Sequence, residues 1–197
     1  MSATTRTRRM TATAMLSAIA TVLMYLEFPL PFFVPPFIKM DFSEVPALLA
    51  GFAYGPLAGI TVCLIKNLFK IVATQSFGVG ELFNFTMGAL FVGVAALVYR
   101  HHRTRRGAAV GALIGAAAMA IVSVPFNYFV VYPAYMRFMP IEAILGMYQA
   151  INPDADGLLA CLLLFNLPFT LAKGLLDAAV TFLIYKPLSP MLHGRRE

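Results

Sequence analysis

Leu158–Tyr185, LLACLLLFNLPFTLAKGLLDAAVTFLIY, decides the fold: these 28 residues form a long apolar run that nevertheless carries Lys173 and Asp177 in its interior. At about 1.5 Å per residue the run makes a helix of roughly 42 Å, longer than the ~30 Å hydrocarbon core of a bilayer. A lysine near mid-membrane costs about 2.5–3.5 kcal/mol on insertion scales, so a chain that keeps one needs something nearby to satisfy it. Asp177, four residues on and therefore on the same helical face, is one candidate. Asn166, Thr170, Lys173 and Asp177 follow at spacings of four, three and four and form one stripe. The stripe is expected to face the protein interior or a ligand.

The rest of the composition agrees with a membrane setting. Of 197 residues, 60% are hydrophobic and 12% charged, with a mean hydropathy of +0.79, whereas soluble domains are about 25% charged. The expectation is an all-α polytopic membrane protein of six transmembrane helices, a single domain over 10–192 flanked by cytoplasmic tails at 1–9 and 193–197. The net charge of +6 does not imply nucleic acid, because of where the charges sit. Arg6, Arg8 and Arg9 precede the first run, Arg100, Arg103, Arg105 and Arg106 fill one short loop, and Lys186, Arg195 and Arg196 follow the last run. Asp41, Glu44, Glu81, Glu142, Asp154 and Asp156 lie toward the opposite ends. This positive-inside pattern places the chain in the cell membrane with both termini cytoplasmic.

Taken in order, the first span runs from Met10 to about Phe28 and reads as a retained helix rather than a signal peptide. Its small residues Ala14 and Ala18, four apart, suit close helix approach, either within the protein or to a partner. Pro29–Pro36 holds four prolines, which remove backbone donors and restrain their predecessors, so the segment is expected to be an ordered extended loop. With Phe32, Phe33 and Phe37 it either lies on the membrane surface or covers a cavity. Asp41 or Ser43 caps a short helix ending near Tyr54, and Gly55-Pro56 makes the turn. A third run to about Ala73 carries Lys66, Asn67 and Lys70 toward its outer end, where lysines snorkel to the interface. Glu81–Tyr99 is the fourth span, with Glu81, Asn84 and Gly88 in one stripe. The fifth, about Gly107–Val131, repeats Gly107, Gly111 and Gly115 and is expected to kink or loosen at Pro125–Tyr128. Residues 132–157 form the longest outer segment, with a short helix at Glu142–Gln149.

No glycine-rich phosphate loop, His-Glu-x-x-His or Cys-x-x-Cys occurs, so no ATPase or metal-enzyme chemistry is read here and no metal or cofactor is expected. Cys63 and Cys161 sit inside apolar runs as small buried hydrophobes. The polar residues Asp41, Glu81, Asn84, Asn127, Thr170 and Lys173 gather toward the outer halves of several helices. With the many Phe and Tyr they suit a pocket for a flat, partly polar small molecule, or else they knit the helices together.

Leu26-Glu27-Phe28-Pro29, Lys39-Met-Asp41-Phe-Ser-Glu44-Val-Pro46, Gly55-Pro-Leu-Ala-Gly59, Ile65-Lys-Asn-Leu68, Gly78-Val-Gly-Glu81, Asn127-Tyr-Phe-Val130, Lys173-Gly174 and Tyr185-Lys186-Pro-Leu-Ser-Pro190, in this order, resemble the riboflavin-specific S component of energy-coupling factor (ECF) vitamin transporters. The resemblance covers about 10–192. It implies a six-helix subunit that is not an enzyme and that captures riboflavin, its transported substrate, from the extracellular side. It also implies a transmembrane coupling protein and two cytoplasmic ATP-binding subunits as partners. Family ligand contacts carry over to Asp41, Asn127 and Lys173, the gating loop to Pro29–Met40 with Phe32, Phe33, Pro35, Pro36 and Phe37, and the coupling face to Ala14 and Ala18. Thr170 stands where the family commonly has Asn. A hydroxyl replaces an amide's paired donor and acceptor, and Asn166, one turn earlier, is a candidate to compensate, with Glu81 and Asn84 as further contacts. Rival readings are an S component for another vitamin or purine-like compound, or a membrane scaffold without a small ligand.

Overall fold

The computed structural model describes residues 3–193, with side chains described from 6 to 184. Its elements are α1 (Ala3–Tyr25), the two-residue strands β1 (Phe28–Pro29) and β2 (Lys39–Met40), α2 (Glu44–Tyr54), α3 (Pro56–Ile71), α4 (Val79–His101), α5 (Arg105–Phe126), α6 (Tyr132–Tyr135), α7 (Ile141–Gln149), α8 (Gly157–Cys161) and α9 (Leu167–His193). A π-helical turn at Asn127–Val131 joins α5 to α6, and another at Leu162–Asn166 joins α8 to α9. The fold is that of an all-α polytopic membrane protein. Val79–His101, Arg105–Tyr135 and Gly157–Ile184 are each long and apolar enough to cross a bilayer.

The first helix begins at Ala3 rather than Met10, running back through the basic residues. Of the expected C-terminal tail, 193–197, only His193 is described, as the last residue of α9. With 11 residues α2 is only about 16 Å long. The chain reaches its start through the β1–β2 hairpin, in which Phe28 pairs with Met40 and Pro29 with Lys39. Ser43 occupies the N-cap position of α2 without a side-chain cap; instead Asp41 Oδ1 accepts from the Ser43 N–H at 2.9 Å, closing an Asx turn. At the other end Gly55 takes φ 97°, a left-handed conformation that turns α2 directly into α3.

Small residues set the helix spacing. A Cβ on Gly111 would lie 2.6 Å from the Ala95 carbonyl oxygen, and one on Gly115 2.6 Å from that of Phe91. The backbones of α4 and α5 therefore meet where lipid offers no hydrophobic drive for helix association. Gly115→Val is expected to lower stability by about 1–3 kcal/mol or more through overpacking, while Gly146→Ala, which meets nothing within 4 Å, serves as the neutral control. Thermal melts in detergent check this, and equal melting of the two variants would contradict the close α4–α5 approach.

The loosened turn expected at Pro125–Tyr128 begins at Asn127 and runs on to Val131. Pro125 stays inside α5, and the π turn begins at Asn127. Pro133 and Pro168 explain the two π turns: each lacks an N–H, and each ring crowds the carbonyl four residues back, at Phe129 and Leu164. The two turns place Asn127 and Asn166 on the interior side, where both are buried. One apolar cluster, including Leu48, Phe91, Val92 and Ala116, fills the centre of the bundle. A second, with Val34, Tyr132, Tyr148, Leu162 and Phe165, lies under the connecting loops.

Candidate functional site

A cavity of about 940 Å³ occupies the end of the bundle bearing the β1–β2 hairpin and the α3–α4 and α6–α7 connections. Its rim is formed by Pro36–Lys39, Gln75–Phe77 and Arg137–Met139. The wall is lined by Phe83, Asn84, Asn127, Tyr132, Tyr135, Asn166, Phe169 and Thr170, and the deepest layer by Met87, Gly88, Met119, Glu44 and Lys173. Its size is that of a pocket for a drug-sized molecule.

The floor is a charged cluster. Lys173 Nζ lies 2.8 Å from the Asp41 backbone oxygen, 3.1 Å from Asp41 Oδ2 and 3.0 Å from Glu44 Oε2. Asp177, the partner the sequence offers, is more distant at 3.9 Å, and neither of its oxygens has a hydrogen-bond partner. The Asx turn brings Asp41 and Glu44 across the bundle to Lys173, and such long-range contacts leave no spacing to read. Glu44 also pairs with Lys66 at 2.6 Å.

Lys66, Asn67 and Lys70 do not snorkel. Lys66 is fully buried, Asn67 Nδ2 donates to the Cys63 carbonyl at 2.8 Å, and Lys70 turns inward to Glu27 Oε1 at 3.0 Å. The same Glu27 oxygen receives Lys39 of the hairpin at 2.8 Å, and Lys39 also donates to Gln75 at 3.0 Å. The ends of α1 and α3 are thereby clasped to the base of the hairpin at the cavity rim.

On the walls, Asn84 Oδ1 and Asn127 Nδ2 are buried without hydrogen-bond partners, although both residues line the cavity. Asn166 is engaged: its Oδ1 accepts from the Tyr148 hydroxyl at 2.6 Å, and Tyr148 in turn hydrogen-bonds the Tyr132 hydroxyl. Glu81 Oε2 accepts from the Thr74 and Ser76 hydroxyls, each at 2.8 Å, and so orders the α3–α4 connection at the rim. Thr170 is buried and lines the wall.

The loop residues divide. Pro36 and Phe37 line the cavity, and Phe37 meets Tyr135 and Tyr148 edge-on at 6.5 and 6.0 Å. Phe32 and Phe33, 87% and 71% exposed, point away from the cavity. Pro35 is buried outside the cavity lining, beside Val34, whose side chain anchors the loop in the second cluster. Ala14 and Ala18 lie on the outer face of α1 beside exposed Met15, Ile19 and Val22, while Leu16, Ser17 and Ala20 face inward. Sequence reasoning missed Glu44, Lys66 and the Tyr132–Tyr148 pair. Glu44 stood three residues after Asp41, which was selected, and Lys66 was read as snorkelling; nothing in one sequence links positions 22 residues apart.

A helical membrane fold holding a large cavity with aromatic walls and a charged floor suits a membrane protein that binds a small molecule. Residues 8–185 match the family described as ECF transporter, substrate-specific component, and the chain belongs to that family. The riboflavin transporter RibU of Staphylococcus aureus (strain TCH60) is 36% identical over 185 residues, spanning 94% of this chain and 92% of the relative. The riboflavin transporter FmnP of Bacillus subtilis (strain 168) is 36% identical over 194 residues, 97% of each. A solved chain described as the S component of a bacterial ECF transporter superposes with a TM-score of 0.76 at 36% identity, covering 96% of this chain and 99% of that one. The protein is thus a transport component and not an enzyme.

Proposed function

We propose that this chain captures riboflavin from the extracellular side as the substrate-binding subunit of an ECF-type importer. A transmembrane coupling protein and two cytoplasmic ATP-binding subunits supply the energy, and both termini face the cytoplasm. The observation that carries the reading is the ~940 Å³ cavity above a charged floor, lined by Asn84 and Asn127, whose buried Oδ1 and Nδ2 lack partners and reach a ligand by rotation of the side-chain amides. Leaving such an atom unsatisfied costs about 1–3 kcal/mol, so a ligand that satisfies both gains affinity. Riboflavin has the complementary chemistry. The edge of its flat ring carries an imide N–H between two carbonyls, which the Asn84 acceptor and the Asn127 donor can meet. Its faces stack on the aromatic wall, and its ribityl hydroxyls suit the rim or floor. Lys173 and Thr170 add donors, and Asp41 orients the lysine; Glu81 and Asn166 shape the wall through the bonds they already make. Pro36 and Phe37 cover the ligand, while Phe32, Phe33 and Pro35 serve the gate from outside the lining, the two Phe at its outer surface. The relatives named as riboflavin transporters support this substrate over another vitamin.

Protein purified in detergent from cells supplied with riboflavin is expected to retain a flavin absorption spectrum. Its absence from folded protein, with no spectrum gained on adding riboflavin, would refute the assignment. The orientation has its own test. Arg103→Cys and Asp154→Cys, both at exposed positions, are expected to react oppositely with an impermeant thiol reagent in intact cells, Asp154→Cys alone being labelled. Cys63 and Cys161 are fully buried and leave the background low. Labelling of both from outside would overturn the topology.

A further inference from the structure

At the cavity floor the charged side chains close into a ring. Lys173 Nζ meets Glu44 Oε2 at 3.0 Å, Glu44 Oε1 meets Lys66 Nζ at 2.6 Å, and Lys66 donates to Ser43 Oγ at 2.5 Å. The Ser43 hydroxyl donates to Asp41 Oδ1, and Asp41 Oδ2 returns to Lys173 at 3.1 Å. Each carboxylate oxygen in the ring therefore has an assigned donor. Neither Lys66 nor Ser43 lines the cavity, so a ligand there touches neither.

We propose that Lys66 is a positioning residue for substrate binding, acting on the ligand through Lys173 by way of Glu44 and Ser43. The inference rests on the reading of Lys173 as a ligand contact. Its physical basis is charge balance in a site without solvent. The ring contains two lysines and two carboxylates, with the Asp177 carboxyl outside it at 3.9 Å from Lys173, and in a low-dielectric interior an unmatched charge drags its neighbours toward it. Without Lys66, Glu44 and Asp41 converge on one ammonium, and Glu44 Oε1 loses its donor. Lys173 is then drawn toward Glu44, and its ammonium leaves the position from which it meets the ligand. With Lys66 present, Glu44 is held from behind and Asp41 through Ser43, and the ammonium stays at the floor. The packing around the ring fits this role. A Cβ on Gly88 would lie 2.9 Å from Glu44 Oε1, so α4 is bare of side chain where the Glu44–Lys66 pair needs room.

The test is a mutant cycle read by riboflavin affinity, from quenching of flavin fluorescence, on monodisperse purified protein. Lys66→Met is expected to weaken binding about tenfold in the otherwise native chain and to have no further effect in the Lys173→Met background. Ser43→Ala, which removes one neutral link and no charge, is expected to weaken binding several-fold with the same dependence on Lys173, and it carries the test if Lys66→Met does not fold. A merely structural Lys66 would weaken binding equally in both backgrounds, and that additivity overturns the proposal, as does unchanged affinity in both Lys66→Met and Ser43→Ala. Loss of affinity in Lys173→Met with additive second mutations refutes the ring alone. Unchanged affinity in Lys173→Met removes the ligand role of Lys173 and the proposal with it.

Discussion

Lys173→Met is expected to weaken riboflavin binding by roughly 10-fold to 150-fold, the equivalent of losing a charged hydrogen bond of about 1.5–3 kcal/mol. Methionine keeps most of the stem at the cavity floor, where Lys173 is one of the lining residues. The ammonium it removes is also the shared partner of Asp41 and Glu44. Breaking a buried ion pair by deleting one member costs about 3–5 kcal/mol, because the remaining charge stays buried. The melting temperature is therefore expected to fall together with affinity. The geometry dictates which second change recovers stability. Asp41→Asn in the Lys173→Met background removes the stranded charge and is expected to restore melting without restoring affinity. Asp177→Asn is not expected to do so, because Asp177 stands 3.9 Å from Lys173 and is not its principal partner. Recovery by Asp177→Asn and not by Asp41→Asn would reverse the assignment of the floor. Affinity unchanged in well-folded Lys173→Met would remove the lysine from the ligand's contacts.

The second large effect separates binding from transport. Replacing both Ala14 and Ala18 by Leu is expected to leave riboflavin affinity within about twofold of the native chain, since surface changes away from a site shift free energy by only about 0.5 kcal/mol. Uptake by cells that contain the partner subunits is expected to stop. Both alanines lie on the outer face of α1, while the inward face carries Leu16, Ser17 and Ala20. Added bulk therefore meets nothing within the fold but holds a partner helix away, and in lipid close approach is what drives helix association. Ser17→Leu on the inner face is the contrasting control, expected to lower stability and binding together. Equal loss of binding in the Ala14→Leu/Ala18→Leu protein would mean that this face holds the fold rather than the coupling protein.

How far the site could be read from sequence depended on the range of the interactions. The stripe of Asn166, Thr170, Lys173 and Asp177 follows from helical spacing alone, and all four side chains turn inward. The short helix within residues 132–157 was legible from its pattern and spans Ile141–Gln149. The repeat of Gly107, Gly111 and Gly115 was visible in the sequence, and the structure gives its reason at Gly111 and Gly115, where α4 and α5 meet. The partners across the floor were not. Glu44 reaches Lys66 and Lys173 because an Asx turn and an 11-residue helix set it at the bundle centre. A single sequence shows a lysine near a helix end, which favours snorkelling until a buried carboxylate is known to face it. The π turns were hidden for a related reason. Pro125 is the conspicuous proline, yet Pro133 and Pro168 open the ladders, each by acting on a carbonyl one turn earlier. In the gating loop, aromatic content alone could not separate Phe37, which lines the cavity, from Phe32 and Phe33, which do not.

The central claim is that the cavity is a riboflavin site, and equilibrium titration of riboflavin with the purified chain, followed by flavin fluorescence, tests it most directly. The account predicts saturable quenching at one flavin per chain, as the ring stacks against the aromatic wall, weakened by Asn127→Ala and Lys173→Met. A folded, monodisperse chain that leaves flavin fluorescence unchanged across the titration would contradict it.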